Sequence, residues 1–181
     1  MTLKRTIAIM SDSHGNLANV NTFLTKINHH NSDVIYHLGD YYDDAEIIIK
    51  QQIPCIRIPG TWSRYYQDFR FENRRYEQEC GWTLFLTHTP ERHFNDLQDD
   101  EDPQDVIANQ KADIVLHGHT HKPNISIENN VVIVNPGHTK ASFDRGYEPS
   151  YAIMKLTETT ATITVYNLLN DAVVTQKTLK K

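Results

Sequence analysis

Short runs of apolar residues recur along the first two thirds of the chain, and turn residues or charged residues close each run. Continuous apolar runs of this length are typical of strands that are covered on both faces. The pattern therefore predicts five buried strands, at Thr6–Met10, Val34–Leu38, Pro54–Ile58, Trp82–Thr87 and Ile114–Leu116.

Segments with helical spacing lie between these runs. Asn16–Ile27 carries apolar residues at three- and four-residue intervals, which places them on one face of a helix. Two shorter helices are predicted at Asp44–Gln51 and Pro103–Gln110, the second with proline in its first turn. Strand followed by helix, repeated, predicts an α/β arrangement for this part of the chain.

The last third of the chain changes character and predicts successive strands without helices. Asn129-Asn130 and Asn170-Asp171 are reasonable turns between them, so antiparallel pairing is expected. These strands are predicted at Ile125–Ile127, Val131–Val134, Ser150–Leu156, Ala161–Tyr166 and Ala172–Thr178.

The 181 residues contain no internal repeat, low-complexity tract or linker, which predicts a single domain over residues 1–181. The acidic stretch Asp96–Asp105 is expected to be a mobile loop and a solvated surface turn.

Composition and charge exclude several classes of protein. Apolar residues make up 39% and charged residues 23%, an ordinary globular balance. The net charge is −5, and the densest basic cluster, Arg70–Arg75, is interrupted by Glu72, so no nucleic-acid partner is expected. No apolar run approaches the roughly 20 residues that span a bilayer, and the first apolar segment is too short for a signal peptide. The two cysteines form no CxxC pair. A cytoplasmic location away from membranes is therefore expected.

Unusual polar residues fall just past the ends of four predicted strands. The carboxyl ends of strands in open α/β sheets converge on one crevice, so residues distant in sequence are expected to meet there. Carboxylates and imidazoles together suit manganese, iron or zinc, and a set without thiolates is too rich in oxygen for a structural zinc site. The predicted metal ligands are Asp12, His14, Asp40, His88, His119 and His121.

Simpler roles exist for each residue taken alone. A lone Asp after a strand is usually a helix cap or turn residue, and a lone His is usually a surface or core residue. His29, His30, His93 and His138 have no ligand-like spacing and are assigned no function. Four strand ends that each carry Asp or His are a much rarer coincidence, which favours the metal site.

Together these motifs resemble the calcineurin-like metallophosphoesterases, whose pattern runs DxH, GDxxD, GNxx, a lone His and GHxH. The matching segments are SDSH at 11–14, GDYYD at 39–43, His88 and GHTH at 118–121. The chain length and the segments VNPGHTKASFDRG and SYAIMKL resemble the small bacterial and archaeal phosphodiesterase branch. The resemblance extends from Ile7 to about Leu156.

The resemblance implies a fold and a ligand set. The fold is a β-sandwich flanked by helices in a four-layer αββα arrangement, with metals at the strand ends. One divalent ion would be held by the residues Asp12, His14, Asp40 and His121. A second would be held by Asp40, which bridges the two ions, together with His88, His119 and the Asn of GNxx.

The sequence departs from the family at that Asn. Thr61 stands where the amide oxygen should be, which makes the second site doubtful, and Trp62 replaces a His that is catalytic in larger relatives. Without that His no general acid stands out, so an activated leaving group is favoured. A diester is expected in preference to a monoester.

The predicted function is therefore phosphodiester hydrolysis by a metal-bound hydroxide at a dinuclear site whose second position is weakened. Manganese is the expected ion, with iron, zinc or nickel as alternatives. A small phosphodiester or nucleotide-like substrate is expected, and Trp62 and Arg64, with Tyr41 and Arg145, are candidates for the substrate pocket. The family also makes a homo-oligomer unsurprising.

Two alternatives remain open on the same fold. One is a non-catalytic protein-interaction scaffold, a role that the fold serves in the retromer complex. The other is a site with one metal that acts slowly or binds a phosphorylated ligand without turnover. Metal content separates the three, since two, one or no bound ions favour the enzyme, the single-metal site or the scaffold respectively.

Overall fold

The computed structural model describes residues 3–181, which form eleven strands and three α-helices. The strands are β1 (Lys4–Met10), β2 (Val34–His37), β3 (Cys55–Arg57), β4 (Arg74–Glu79), β5 (Trp82–Thr87), β6 (Ile114–Leu116), β7 (Asn124–Glu128), β8 (Val131–Asn135), β9 (Ser150–Thr157), β10 (Thr160–Asn167) and β11 (Val173–Lys180). The helices are α1 (Leu17–Ile27), α2 (Glu46–Ile49) and α3 (Pro103–Ala108), with 3₁₀ turns at Asn28–His30 and Tyr42–Ala45.

The strands are arranged in two mixed sheets. The first has the order β11-β10-β9-β1-β2-β3, and β1, β2 and β3 run parallel to one another. The second has the order β4-β5-β6-β8-β7, and β5, β6 and β8 run parallel. The predicted antiparallel pairing is found in the β9-β10-β11 meander and in the β7-β8 hairpin, where Asn129 and Asn130 both have positive φ.

Alternation along β1 and β5 explains the layers. Ile7 and Ile9 pack into a core shared with Leu84 and Leu86, between the two sheets. Ala8 faces the other side, where α1 and α2 cover the first sheet, and Phe85 faces α3 across the second. Because successive side chains of a strand point to opposite faces, the central strands of both sheets are buried on both sides. The predicted four-layer αββα sandwich is therefore confirmed.

The predicted long helix is present, with one difference in its buried face. The side-chain oxygen of Asn16 accepts a hydrogen bond from the backbone N–H of Asn19 at 3.1 Å, which caps α1 at its first turn. Val20, Phe23 and Leu24 are buried, whereas Leu17 is 45% exposed because it lies at the first position, beyond the edge of the sheet.

Strand β4 was missed by the hydrophobic pattern. Its sequence RRYEQE has no apolar run, because it is the edge strand of the second sheet and pairs only with β5. Charged side chains are common on edge strands, where they oppose pairing with other chains.

The prediction of a mobile, solvated loop at Asp96–Asp105 is wrong in its first half. The Asp96 carboxylate forms an ion pair with Arg74 at 3.0 Å, and the two side chains are 2% and 5% exposed. Asp100 accepts hydrogen bonds from the side chain of Asn73 and the backbone N–H of Leu97, both at 2.8 Å. Acidic composition alone indicated solvation, but here the carboxylates anchor the loop to β4. No helix in the described part of the chain is long and apolar enough to cross a membrane.

Candidate metal centre

The predicted ligand residues lie in loops at one end of the sandwich. Asp12 and His14 follow β1, Asp40 follows β2, His88 follows β5, and His119 with His121 follows β6. Thr61 lies after β3 at the same end. Because β1–β3 are parallel in one sheet and β5 and β6 in the other, their carboxyl ends bring both sets of loops together.

The backbone at these loops is left-handed. Asp12, His14, His119 and His121 have φ of 54°, 47°, 64° and 62°. Non-glycine residues seldom adopt this conformation, and such residues cluster at functional sites where surrounding structure holds them. The side chains of each pair therefore converge through sharp local turns.

Two glycines allow the loops to approach each other. Gly39 has φ of +86°, as a sharp turn after β2 requires. Gly118 has an ordinary φ, but a Cβ there would lie 1.9 Å from the Ser11 hydroxyl and 2.6 Å from an Asp12 carboxylate oxygen. Gly118 is thus needed for close approach of the two ligand loops, and not for turning.

One group of four residues could hold a cation. His14 Nε2 lies 3.0 Å from Asp40 Oδ2 and 3.2 Å from His121 Nε2, and His121 Nε2 lies 3.2 Å from Asp12 Oδ1. The donor atoms of Asp12, His14, Asp40 and His121 all lie within 4.8 Å of one another. The chain therefore has an Asp/His cluster suited to binding a divalent metal.

A second group shares Asp40 with the first. His88 Nε2 lies 3.1 Å from Asp40 Oδ1, and the rings of His88 and His119 are 5.2 Å apart and nearly perpendicular. Thr61 is buried close by, next to Gly60, whose added Cβ would lie 2.1 Å from Asp40 Oδ1. All six predicted ligand residues are thus brought to one end of the sandwich.

Unpaired buried atoms show that this donor set fits a cation. Asp12 Oδ1, Asp40 Oδ1, Thr61 Oγ1 and His88 Nε2 are buried, and none has a hydrogen-bond partner of good geometry. Leaving buried polar atoms unpaired is costly. A divalent ion would satisfy these lone pairs together, which protein groups in this structure do not do.

Charge coupling holds the carboxylates ionised. Burial raises the pKa of Asp12 and of Asp40, but the facing imidazoles outweigh it, and both pKa values lie below their ordinary value. Burial lowers the pKa of His119 to about 4, so this imidazole is neutral and can offer a lone pair. Burial alone would lower the pKa of His88 and of His121. The carboxylates of Asp40 and Asp12 outweigh this effect at His88, and that of Asp12 does so at His121, so both pKa values are raised.

Partners outside the ligand set orient two of the imidazoles. His88 Nδ1 lies 2.7 Å from the Leu38 carbonyl oxygen, to which it donates, so Nε2 faces the site. His121 Nδ1 contacts the Asp144 carboxylate, which also pairs with Lys140 at 3.3 Å. Sequence reasoning missed Asp144, although it lies within the segment VNPGHTKASFDRG that carried the family resemblance.

Asp44 is a second residue that the sequence reasoning missed. Its Oδ2 accepts hydrogen bonds from the Ser13 hydroxyl and the Gly15 backbone N–H, both at 2.7 Å. These bonds fix the loop that carries Asp12 and His14. The Asp-x-His spacing gave no sign of this partner, because Asp44 lies on the 3₁₀ turn after β2, far from Asp12 and His14 in the sequence.

A cavity of about 510 Å³ opens beside the first group. Tyr41, Trp62 and Arg64 line it together with His14 and Asp40. Arg64 donates to Asp43 at 3.2 Å, and the Trp62 ring is 73% exposed. The candidate Arg145 does not line this cavity and instead donates to the His119 carbonyl oxygen at 3.0 Å.

The four histidines to which the sequence assigned no function divide into two kinds. His29 is exposed, and His30 packs against Tyr151 and Tyr166, away from the ligand loops. His138 and His93 lie near the site without belonging to either group, since the His138 ring is 5.4 Å from His121 and the His93 ring 5.8 Å from His119.

Several solved structures share this fold at low sequence identity. A predicted phosphoesterase from Streptococcus pneumoniae has a TM-score of 0.70 and 21% identity, and the match covers 98% of both chains. Vacuolar Protein Sorting 29 from Cryptosporidium parvum has a TM-score of 0.73 and 18% identity, covering 99% of this chain and all of that one. An archaeal phosphodiesterase has a TM-score of 0.60 and 20% identity, covering 97% and 99%.

No curated protein sequence matches the chain. The family model that does match describes the calcineurin-like phosphoesterase superfamily domain, and it aligns with residues 6–159. This span includes every ligand loop and both sheets except β10 and β11, and the solved neighbours include small bacterial and archaeal phosphoesterases. The chain belongs to the calcineurin-like phosphoesterase superfamily.

Proposed function

We propose that this chain is a metal-dependent phosphoester hydrolase that prefers diesters. The observation that carries the proposal is a set of buried side-chain atoms that have no hydrogen-bond partner and lie at one end of the sandwich. These atoms are Asp12 Oδ1, Asp40 Oδ1 and His88 Nε2. Family membership agrees with this chemistry. A protein without need of a cation has no physical reason to keep these groups unpaired.

Asp12, His14, Asp40 and His121 would hold one divalent ion. Asp40, His88 and His119 would hold a second, with the Thr61 hydroxyl as a weak further ligand. Such ions lower the pKa of bound water and neutralise phosphoryl oxygens. We favour manganese, because the ligands are oxygens and imidazole nitrogens without a thiolate.

The cavity beside the site supports a diester over a monoester. Among the described residues that line it, Arg64 is the one cation, and Asp43 already neutralises it. A monoester dianion brings one more negative charge than a diester and would find no further cationic side chain in this lining. Tyr41 and Trp62 give the cavity an aromatic wall, which suits a small nucleotide-like or aryl ester.

The test combines metal content with turnover. We expect about two ions per chain by elemental analysis and hydrolysis of a chromogenic phosphodiester with added manganese. Asp40→Asn should lower kcat/KM by about 100-fold or more, because it removes the charge shared by both groups. Asp99→Asn, an exposed carboxylate on a loop, is the matched control and should retain activity. Full activity of Asp40→Asn would refute the bridging role.

A second candidate function rests on Thr61. Because a neutral hydroxyl replaces the expected amide, the chain could be a single-metal phosphate-binding protein or a protein-interaction scaffold. One bound ion without turnover would favour the first of these, and no bound ion the second. A cytoplasmic location and a homo-oligomer stay predictions.

A further inference from the structure

One histidine beside the second group has a fixed and unusual orientation. The His93 ring lies 5.8 Å from the His119 ring at an interplanar angle of 70°, and 6.3 Å from the Trp62 ring. His93 is therefore next to the second group. It follows β5, as His88 does, but it has no ligand-like spacing. His93 is not one of the predicted ligands, and it is not among the residues that line the cavity.

The hydrogen bonds of His93 assign its two ring nitrogens. Nδ1 accepts a hydrogen bond from the backbone N–H of Asn95 at 3.2 Å. A neutral imidazole that accepts at Nδ1 carries its proton on Nε2. His93 therefore presents an N–H donor at Nε2, and no residue of the described chain accepts from it. A metal ligand would need the opposite arrangement, with a lone pair at Nε2, as in His88.

Buried contacts hold the loop that carries His93. The backbone N–H of His93 donates to Asp96 Oδ2 at 2.8 Å, and Asp96 is the buried partner of Arg74. The side chain of Asn95 donates to the Thr61 carbonyl oxygen at 2.9 Å, which joins this loop to the loop after β3. The loop that carries the donor is thus held on both sides, and a fixed backbone is what a group that binds substrate requires.

We propose that His93 is a catalytic residue that donates its Nε2–H to a phosphoryl oxygen of the substrate. The proposal rests on the proposed function, because it needs a phosphate ester at the metal centre. The role needs a hydrogen-bond donor at Nε2 and no proton transfer. The exposed rings of Trp62 and Phe94 flank His93 at 6.3 and 4.3 Å, so the ester group beside it would be apolar or aromatic.

The experiment compares three variants in the full chain with added manganese. His93→Phe keeps a ring but loses the donor, and should lower kcat/KM for an aryl phosphodiester by about 10- to 100-fold. His93→Gln keeps an N–H donor and should recover much of this loss. His29→Phe, at an exposed histidine away from the site, should match the parent protein. A loss that His93→Gln does not recover would overturn the donor role.

Two further measurements do not depend on turnover. Elemental analysis should give the same metal content for His93→Phe as for the parent, and loss of an ion would instead make His93 a ligand and overturn the proposal. Calorimetry with inorganic phosphate should show binding to His93→Phe several-fold weaker than to the parent, and equal affinity would overturn it.

The same measurements separate this proposal from the proposed function. A parent protein that binds phosphate through His93 without hydrolysing any ester would refute the enzyme and leave the donor intact. A parent protein that neither binds phosphate nor hydrolyses esters would overturn both.

Discussion

At the scale of single residues, the partners of the ligands matter as much as the ligands. Asp144 contacts His121 Nδ1 and so keeps Nε2 directed at Asp12 and His14. Without this carboxylate the His121 ring would lose its orientation and part of its basicity. Partners of this kind typically contribute 10- to 100-fold to metal affinity.

Asp144→Asn should therefore weaken metal binding by about 10-fold or more, measured by calorimetry with manganese. The fold should be unaffected, because Asp144 lies in a loop at the edge of the site. Asp99→Asn serves again as the control. Equal affinity in Asp144→Asn and the parent would show that the contact does not orient His121.

Thr61 gives the second prediction at this scale. Its hydroxyl oxygen is buried and has no hydrogen-bond partner, and the residue follows Gly60, which lies against Asp40. Thr61→Asn would restore an amide oxygen and should raise occupancy of the second ion, measured as metal per chain at limiting manganese. Thr164→Asn, at a buried threonine of β10 away from the ligand loops, controls for the change of size. Unchanged occupancy in Thr61→Asn would mean that Thr61 does not face the metals.

At the scale of elements, the edge strand β4 holds the loop after β5 in place. Arg74 on β4 pairs with Asp96 and donates to the Thr89 hydroxyl at 3.0 Å, so the strand holds the loop that carries His93. Removing one partner of a buried pair leaves an uncompensated charge, which typically costs about 3–5 kcal/mol.

Asp96→Ala should accordingly lower the free energy of unfolding by about 3 kcal/mol, measured by urea denaturation. Asp68 pairs with Arg70 at the exposed surface, and Asp68→Ala should change stability little because solvent screens that pair. If both variants lose the same stability, the loop after β5 is not anchored as described.

At the scale of the whole molecule, buried neutral histidines set the acid limit of stability. Burial lowers the pKa of His37 and of His117 to about 4 in the folded chain, against 6.5 for an ordinary histidine. The unfolded chain therefore binds protons at a higher pH than the folded chain does. The resulting stability is fully present above about pH 6.5 and is lost as the pH falls towards 4.

Each of these histidines should cost about 2 kcal/mol of stability between about pH 7 and pH 5. His37→Gln should remove its share of this loss, measured by urea denaturation at the two pH values in the presence of EDTA. His29→Gln, at an exposed histidine, should keep the full dependence. A pH dependence unchanged by His37→Gln would mean that His37 is protonated when folded.

Much of the architecture could be predicted from the chain alone. The apolar runs located β1, β2, β3, β5 and β6, because strands that are covered on both faces must be apolar throughout. β4 could not be located in this way, because its sequence RRYEQE is polar and its side chains are partly exposed. The apolar pattern predicted only an α/β arrangement for the first part of the chain. The sandwich was predicted from the family resemblance.

The sequence by itself determined the candidate ligand residues, since Asp and His at successive strand ends are already visible as DxH, GDxxD and GHxH. Only the tertiary structure decided how those donors are oriented. The orienting contacts come from Asp144, Asp96 and Asn95. No rule of sequence spacing predicts these contacts. A hydrogen bond assigns the proton of His93, and a hydrogen bond exists only once the loops are packed.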